Sequence, residues 1–157
     1  MKTTNLILIL MAVLGLMSCH QLHYVTLYVD TTNFNPNDIE THASFGQRAN
    51  IPNEHFVTNV RRGDKVIWNG ISTTDTTHTV SISEIEHESG DHILSKGGVI
   101  PGASISPIPL VFGKTKIVAK PARGMSYLQE KYSIKFELSN TPGTFTIDPK
   151  IRSHGSH

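Results

Sequence analysis

Short runs of alternating apolar and polar residues constrain the fold of this chain more than any other feature of its sequence. The clearest run is YSIKFEL at 132–138, in which every second residue is apolar. Successive side chains of a strand point to opposite faces, so this run predicts a strand with one buried and one solvated face. Pro142-Gly143 favours a turn, and Thr144 to Ile147 resumes the alternation. A C-terminal hairpin is therefore predicted.

Similar runs upstream extend this pattern over most of the chain. They lie at 25–29, 65–68, 79–83 and 116–119. Helical periodicity is confined to one short turn predicted over Gly124 to Glu130. Segments 43–54 and 97–109 are rich in Gly, Pro, Ser and Asn, which predicts long surface loops. We expect an all-β fold, an antiparallel β-sandwich of jelly-roll or cupredoxin-like type with long loops.

The N-terminus has the composition of a bacterial lipoprotein signal. Lys2 precedes the apolar run Leu6 to Leu14, and Ser18 precedes the only cysteine of the chain, Cys19. The run is shorter than the roughly 20 apolar residues of a membrane span. Lipid attachment of palmitate type at Cys19 is the favoured interpretation, and secretion without lipid is the alternative. We expect a signal peptide at 1–18, a short tether at 19–24, a sandwich domain at 25–152 and a disordered tail at 153–157.

Composition excludes several classes of function. A single cysteine leaves no intrachain disulfide, no zinc-thiolate site and no Cys–His nucleophile once its sulfur carries lipid. Removal of residues 1–18 takes away Lys2 from the 14 Lys and Arg, and the remaining basic residues equal the 13 Asp and Glu in number. Nucleic-acid binding depends on clustered Lys and Arg, so we expect none.

Nine histidines raise the question of a metal. Glu84, His87, Asp91 and His92 lie close together in the sequence and offer imidazole and carboxylate groups to a divalent ion. The five-residue step from His87 to His92 matches no established spacing of metal ligands. A solvated acidic loop is the favoured interpretation, so no metal or other cofactor is expected, and a divalent metal is the alternative.

No catalytic constellation is apparent. Gly102-Ala103-Ser104 lacks the spacing of a nucleophile elbow, and no pair of carboxylates is placed by periodicity in opposed acid and base roles. The single tryptophan, Trp68, ends a strand pattern, where it either stacks on a sugar or peptide or, more often for a lone Trp, belongs to the core. The sequence therefore predicts no enzymatic activity.

Two resemblances follow from these segments. Val60 to Trp68 followed by His78-Thr79-Val80 resembles the opening strands of a cupredoxin, but the thiolate ligand of blue copper is missing, so the resemblance implies only the fold. Val25 to Thr31, Gly63 to Trp68 and the C-terminal Gly143-x-Phe145-x-Ile147-Asp148-Pro149 are similar, in that order, to the AidA/PixA inclusion-body family. That resemblance implies a compact bacterial β-sandwich, and some members of the family are regarded as sugar-binding.

The leading functional hypothesis is a lipid-anchored binding or interaction module of a bacterial envelope. Its partners are expected to be the membrane, through Cys19, and either a glycan or an envelope protein. The expected ligand surface comprises loops 33–38, 71–78 and 84–92, with Trp68, His78, Glu84, His87, Asp91 and His92 as candidate binding residues. No Asp follows Cys19, which favours the outer membrane facing the periplasm. The alternative is a metal-dependent hydrolase or metal-handling protein using His78, His87 and His92.

Overall fold

A computed structural model describes residues 20–94, 99–101, 111–115 and 126–154. The signal peptide predicted at 1–18, Cys19, the strand predicted at 116–119 and most of the loop predicted at 97–109 lie outside these ranges, as do the last three residues. None of the helices in the described ranges has the length and apolar character needed to cross a bilayer.

The described part of the chain is mostly β-strand, at 58%, with almost no helix. Its elements are β1 (Leu22–Val29), α1 (Ile39–His42), β2 (Ala43–Ser44), a 3₁₀ turn (Asn53–His55), β3 (Val57–Val60), β4 (Lys65–Ser72), β5 (Val80–Gly90), β6 (Val99–Pro101), β7 (Val111–Lys114), β8 (Tyr127–Leu138), β9 (Thr141–Ile147) and β10 (Lys150–His154). Their alternating burial follows the alternating sequence. The prediction of an all-β fold is confirmed.

Two sheets enclose one core. The smaller sheet has the order β2-β1-β4-β7, and the larger has the order β3-β10-β8-β5-β6, with β9 paired to the second half of β8. The sandwich-like arrangement agrees with the sequence, but the sheets are mixed, because β1 runs parallel to β4 and β3 runs parallel to β10. A parallel pair needs a crossover between its strands, and the chain between β1 and β4 supplies one by passing through β3 of the other sheet.

The inner faces of both sheets supply the core. Trp68 of β4 and Tyr132 and Phe136 of β8 are fully buried, and burying an aromatic side chain of this kind stabilises a fold by about 2–3 kcal/mol. The indole N–H of Trp68 donates a hydrogen bond to the Tyr132 hydroxyl oxygen at 3.1 Å. This bond gives the buried indole N–H the partner that it needs away from water. The core therefore joins the middle of one sheet to the middle of the other.

Several element boundaries differ from those expected. β1 begins at Leu22, inside the expected tether at 19–24, and β10 includes Ser153, which is fully buried rather than part of a disordered tail. Tyr127 to Glu130 belongs to β8, so the helical turn predicted there is wrong. The C-terminal hairpin is confirmed, but its tight turn is Ser139-Asn140, since Leu138 pairs with Thr141.

The segment that we expected to be an acidic loop is a strand. β5 continues through residues 84–90, pairs with β8 on one side and with β6 on the other, and buries Ile85. Its two register shifts, between Ile82 and Glu84 and between His87 and Ser89, disturb strict alternation. These bulges break the period-two pattern by which a strand is recognised in a sequence.

Candidate functional site

The acidic side chains of β5 face outward and meet lysines of β8. Lys135 Nζ lies 3.3 Å from a Glu84 oxygen and 3.1 Å from a Glu86 oxygen. Hydrogen bonding to Glu86, and then to Glu84, raises the pKa of Lys135 above its ordinary value. Glu84, proposed from the sequence as a binding residue, is thus one partner in a cross-strand ion-pair ladder.

Glu130 of β8 points the other way, into the sandwich, and its side chain is almost completely buried. Its Oε2 accepts hydrogen bonds from the backbone N–H groups of Ile93 and Leu94 at 2.6 and 3.0 Å. Its Oε1 lies 3.0 Å from Nδ1 of His87. The carboxyl group therefore has three hydrogen-bonding partners, which offset the cost of burying it.

His87 and His92 meet at this carboxylate. The chain turns sharply after β5 because Gly90 has a φ of +88°, and the backbone oxygen of Gln129 leaves no space there for a Cβ atom. That turn returns His92 to the His87 ring, with the two ring centroids 3.8 Å apart. His87 is partly buried and His92 is exposed. Among the described residues, His87, His92 and Glu130 form the one group of three or more potential metal ligands, with atoms within 4.8 Å of one another.

The other predicted site residues lie elsewhere or have structural contacts. Asp91 is exposed, and its Oδ2 accepts a hydrogen bond from the Gln129 backbone N–H at 3.0 Å, which holds the turn. His78 contacts the Thr31 hydroxyl through Nδ1 at 3.0 Å and is not part of the histidine cluster. Trp68 has no exposed surface, so it cannot stack on a ligand.

A groove opens where β1 and β2 end. Its cavity volume is about 590 Å³, and it is lined by parts of β1, α1, β2 and the 47–52 segment, with Thr73 from the predicted 71–78 loop. The half-exposed ring of Tyr28 forms one wall and packs beside Gly46, where an added Cβ would lie 3.4 Å from the ring. Exposed polar side chains of Arg48 and Asn50 border the opening.

Buried hydrogen bonds preform this groove. Asn53 is buried, and its backbone N–H and Nδ2 donate to the two oxygens of Glu40 at 2.6 and 3.0 Å. Asn53 Nδ2 also donates to the Ala43 backbone oxygen, and Gln47 Nε2 donates to Asn53 Oδ1. These contacts fix α1, β2 and the following segment together, so the groove needs little ordering when a ligand arrives.

Five large apolar side chains are exposed on the outer face of the smaller sheet. Leu22, Tyr24 and Tyr28 of β1, Ile71 of β4 and Phe112 of β7 are all exposed on it, and Tyr24 and Phe112 expose 66% and 51% of their surface. We call these five residues the outer apolar face. In the strand register Ile67 lies between Tyr24 and Phe112, so the exposed rings flank a third apolar side chain. A hydrogen-bonded polar pair, Thr26 and Asn69, separates these residues from Tyr28 and Ile71. Exposed apolar surface is typical of protein or membrane contacts.

A second buried carboxylate lies where β1 begins. Asp64 accepts hydrogen bonds from the backbone N–H groups of Gln21 and Arg61, at 2.9 and 2.8 Å, and its Oδ2 lies 2.8 Å from His23 Nε2. Burial is the largest single influence and opposes ionisation. The hydrogen bonds from Arg61, His23 and Gln21 together outweigh it and hold the pKa of Asp64 below its ordinary value of 3.8. The hydrogen bond from Gln21 to Asp64 holds the backbone in place only two residues after Cys19.

Comparison with known proteins adds no relative. No family model matches the chain, and no curated protein matches it. The resemblance to the AidA/PixA family therefore stays a prediction.

Sequence reasoning missed Glu130 and Tyr28. Glu130 lies more than 35 residues from each of its partners, and Tyr28 reads as one polar-side position in a strand. A signal for Tyr28 was present, because an aromatic residue at a solvent-facing strand position is unusual enough to suggest contact with a ligand.

Proposed function

We propose that this chain is a non-catalytic carbohydrate-binding module of a bacterial envelope, held at the membrane by lipid on Cys19. The observation that carries the binding role is the preformed groove beside Tyr28. Its volume of about 590 Å³ falls within the range of small-ligand sites. An aromatic ring bordered by amide and charged side chains suits a sugar, whose apolar ring face stacks on the aromatic ring while its hydroxyls take hydrogen bonds.

The outer apolar face supports the membrane part of the proposal. Leu22, which belongs to that face, is three residues after Cys19, a separation that spans at most about 10 Å. Lipid chains on Cys19 would therefore bring the exposed rings of Tyr24 and Phe112 close to the bilayer surface, where aromatic residues are favoured, while Tyr28, near the other end of β1, lines the groove. We place the anchor in the outer membrane, facing the periplasm, because no Asp follows Cys19 in the sequence.

The shape of the groove also supports one of the two partners left open by the sequence over the other. A protein partner of ordinary affinity covers about 800 Å² on each side, mostly over a broad surface, whereas a glycan fills a concave site. The groove thus favours a glycan. The alternative ligand set of His78, His87 and His92 is not brought together, because His78 contacts Thr31 and lies outside the histidine cluster.

A glycan array probed with residues 20–157 tests the binding role. We expect saturable binding to at least one envelope-type glycan, and Tyr28→Ala should weaken it about fivefold to tenfold, in line with loss of a stacking contact worth about 1–1.4 kcal/mol. Tyr24→Ala is the matched control, because Tyr24 is an exposed tyrosine of the same strand outside the groove. No binding across the array, or equal losses in the two variants, would reject the proposal.

Metabolic labelling with a palmitate analogue tests the anchor. The full chain expressed in a bacterium should incorporate label and sediment with the outer membrane, and Cys19→Ala should abolish both. Ser18→Ala should retain labelling, because alanine is also a small residue suited to the cleavage site. Label-free protein in the soluble envelope fraction would show that the chain is secreted without lipid.

A further inference from the structure

We propose that His87, His92 and Glu130 form a binding site for Zn²⁺ or a chemically similar late transition-metal ion. The site is separate from the groove, so it does not depend on the proposed glycan-binding role. The sequence spacing argued against such a site. It becomes visible only because β8 contributes a carboxylate from across the sheet.

Glu130 is the fixed component of this site. Two backbone N–H groups hold Oε2 in place, and they leave Oε1 directed at His87. Both N–H groups belong to the segment that follows the Gly90 turn, so the carboxylate is positioned by backbone rather than by a mobile side chain. Outer contacts of this kind orient metal-binding carboxylates and are costly to remove.

The spacing of Glu130 and His87 fits a tetrahedral ion. Zinc binds nitrogen and oxygen at about 2.0–2.2 Å, which places two ligand atoms on one tetrahedral ion roughly 3.4 Å apart. Oε1 and Nδ1 are 3.0 Å apart. A metal ion can therefore replace the proton that these two atoms share, with only a small separation of the two side chains.

His92 supplies the third ligand and access to solvent. Its ring already lies against that of His87, and the ligand atoms of all three residues fall within 4.8 Å. Since no pair of these atoms is more than 4.8 Å apart, reaching tetrahedral spacing requires a shift of at most roughly 1.4 Å, which costs little for an exposed side chain. The fourth position faces solvent and would hold water.

The donor set selects the class of metal. Two imidazole nitrogens and one carboxylate suit zinc and similar ions, whereas calcium and magnesium prefer oxygen ligands. The neighbouring acidic residues do not change this, because Glu84 and Glu86 face outward and pair with Lys135. We therefore expect Zn²⁺ to bind and Ca²⁺ and Mg²⁺ to bind at least about a hundredfold more weakly.

Calorimetric titration of residues 20–157 with Zn²⁺ tests the site. We expect one saturable equivalent, weakened at least about tenfold by His92→Ala, whose exposed side chain can be removed without disturbing the core. Glu130→Gln should weaken binding to a similar extent. Its amide oxygen can still accept the Ile93 and Leu94 N–H groups, so the fold is preserved while the negative charge is lost.

Two controls separate this site from other histidines. His55→Ala removes an exposed histidine 3.7 Å from Glu54, a pair without a third ligand, and should leave the affinity unchanged. The double variant His154→Ala/His157→Ala removes the C-terminal histidines and should also have no effect. Absence of saturable Zn²⁺ binding, or binding that survives His92→Ala and Glu130→Gln but is lost with the C-terminal histidines, would overturn the proposal.

Discussion

Asp64 and Glu130 are buried carboxyl groups with similar hydrogen-bonding partners at two different places in the sandwich. Each is a buried carboxylate that accepts two backbone hydrogen bonds and contacts one partly buried histidine, His23 or His87. The exposed fractions of the two histidine side chains are equal, at 17%. Each carboxylate also fastens a segment remote in sequence, either the start of β1 or the segment after β5.

The two sites differ in how the backbone donors are shared and in what lies beyond the histidine. Asp64 uses both oxygens for backbone N–H groups, whereas Glu130 receives both on Oε2 and leaves Oε1 to His87 alone. In the described part of the chain, only the His87 side has a second imidazole close enough to share a metal ion, and the Gly90 turn brings it there. The Asp64–His23 pair therefore serves only to hold the start of β1, whereas the Glu130–His87 pair is also a potential metal site.

The largest expected effect comes from removing the Glu130 side chain. Glu130→Ala leaves the buried N–H groups of Ile93 and Leu94 without an acceptor, and each such loss costs about 1–3 kcal/mol. We expect the free energy of unfolding to fall by about 3 kcal/mol in urea denaturation. Glu84→Ala, which removes an exposed ion-pair partner on the same sheet, should change it by less than about 1 kcal/mol. Similar losses in both would show that Glu130 fastens nothing.

Zinc should distinguish the two sites by its effect on stability. At 100 times its dissociation constant, an ion that binds only the folded state stabilises by about 2.7 kcal/mol. Thermal unfolding of residues 20–157 should therefore shift upward with Zn²⁺, and His92→Ala should remove the shift. His23→Ala should retain it, because His23 has no part in the histidine cluster. Loss of the shift in His23→Ala would contradict the assigned location.

Amide substitutions should affect the two carboxylates unequally. Asp64→Asn must turn its amide N–H₂ toward the backbone N–H of Gln21 or Arg61, so a donor faces a donor. We expect a loss of about 2 kcal/mol in unfolding free energy. Glu130→Gln should cost less than about 1 kcal/mol, since its amide faces only His87, which can change tautomer. Equal losses of unfolding free energy in Asp64→Asn and Glu130→Gln would contradict this. They would mean that it makes no energetic difference whether the two backbone N–H groups bind one carboxylate oxygen or both.

Acid should weaken the Asp64 site in a defined range. Because the pKa of Asp64 is lowered in the folded state, its charge stabilises the fold above the ordinary value of 3.8, and that contribution disappears as the pH falls below 3.8 through the folded value. The difference in unfolding free energy between the unmodified chain and Asp64→Asn should therefore stay constant from about pH 7 to about pH 5 and shrink below about pH 4. A difference that is unchanged at about pH 2 would exclude this linkage.

The smallest expected effect belongs to His92 without metal. It is exposed, and its contact within the site is with the His87 ring. His92→Ala should change the unfolding free energy of chelator-treated protein by no more than about 0.5 kcal/mol. A loss of unfolding free energy close to that of Glu130→Ala would show that His92 stabilises the metal-free fold, against our prediction.

Features that depend on neighbouring residues could be predicted from the sequence, whereas features that depend on contacts between distant residues could not. The alternation at 132–138 predicted its strand correctly, because side-chain facing is a local property. The alternation does not predict the strand at residues 84–90, because two register shifts break the period that identifies a strand. Trp68 could be either ligand platform or core, and only its position between two sheets, with Tyr132 as hydrogen-bond partner, decided the matter.

The candidate sites depended still more on tertiary structure. His87 and His92 were recognised as potential ligands, but His78 was wrongly grouped with them, and Glu130 was not considered. Tyr28 carried an aromatic ring on the polar side of a strand, yet nothing in the sequence placed α1 and the 47–52 segment around it.

Local alternation in the sequence was enough to establish an all-β chain, and the position of the single cysteine is the basis for the proposed lipid anchor. Tertiary structure alone decided which carboxylates are buried and which histidines they meet. Alternation fixes only the face on which a side chain lies. Its neighbours on that face come from strands about 40 residues away, and pairing and turn geometry determine which strands those are.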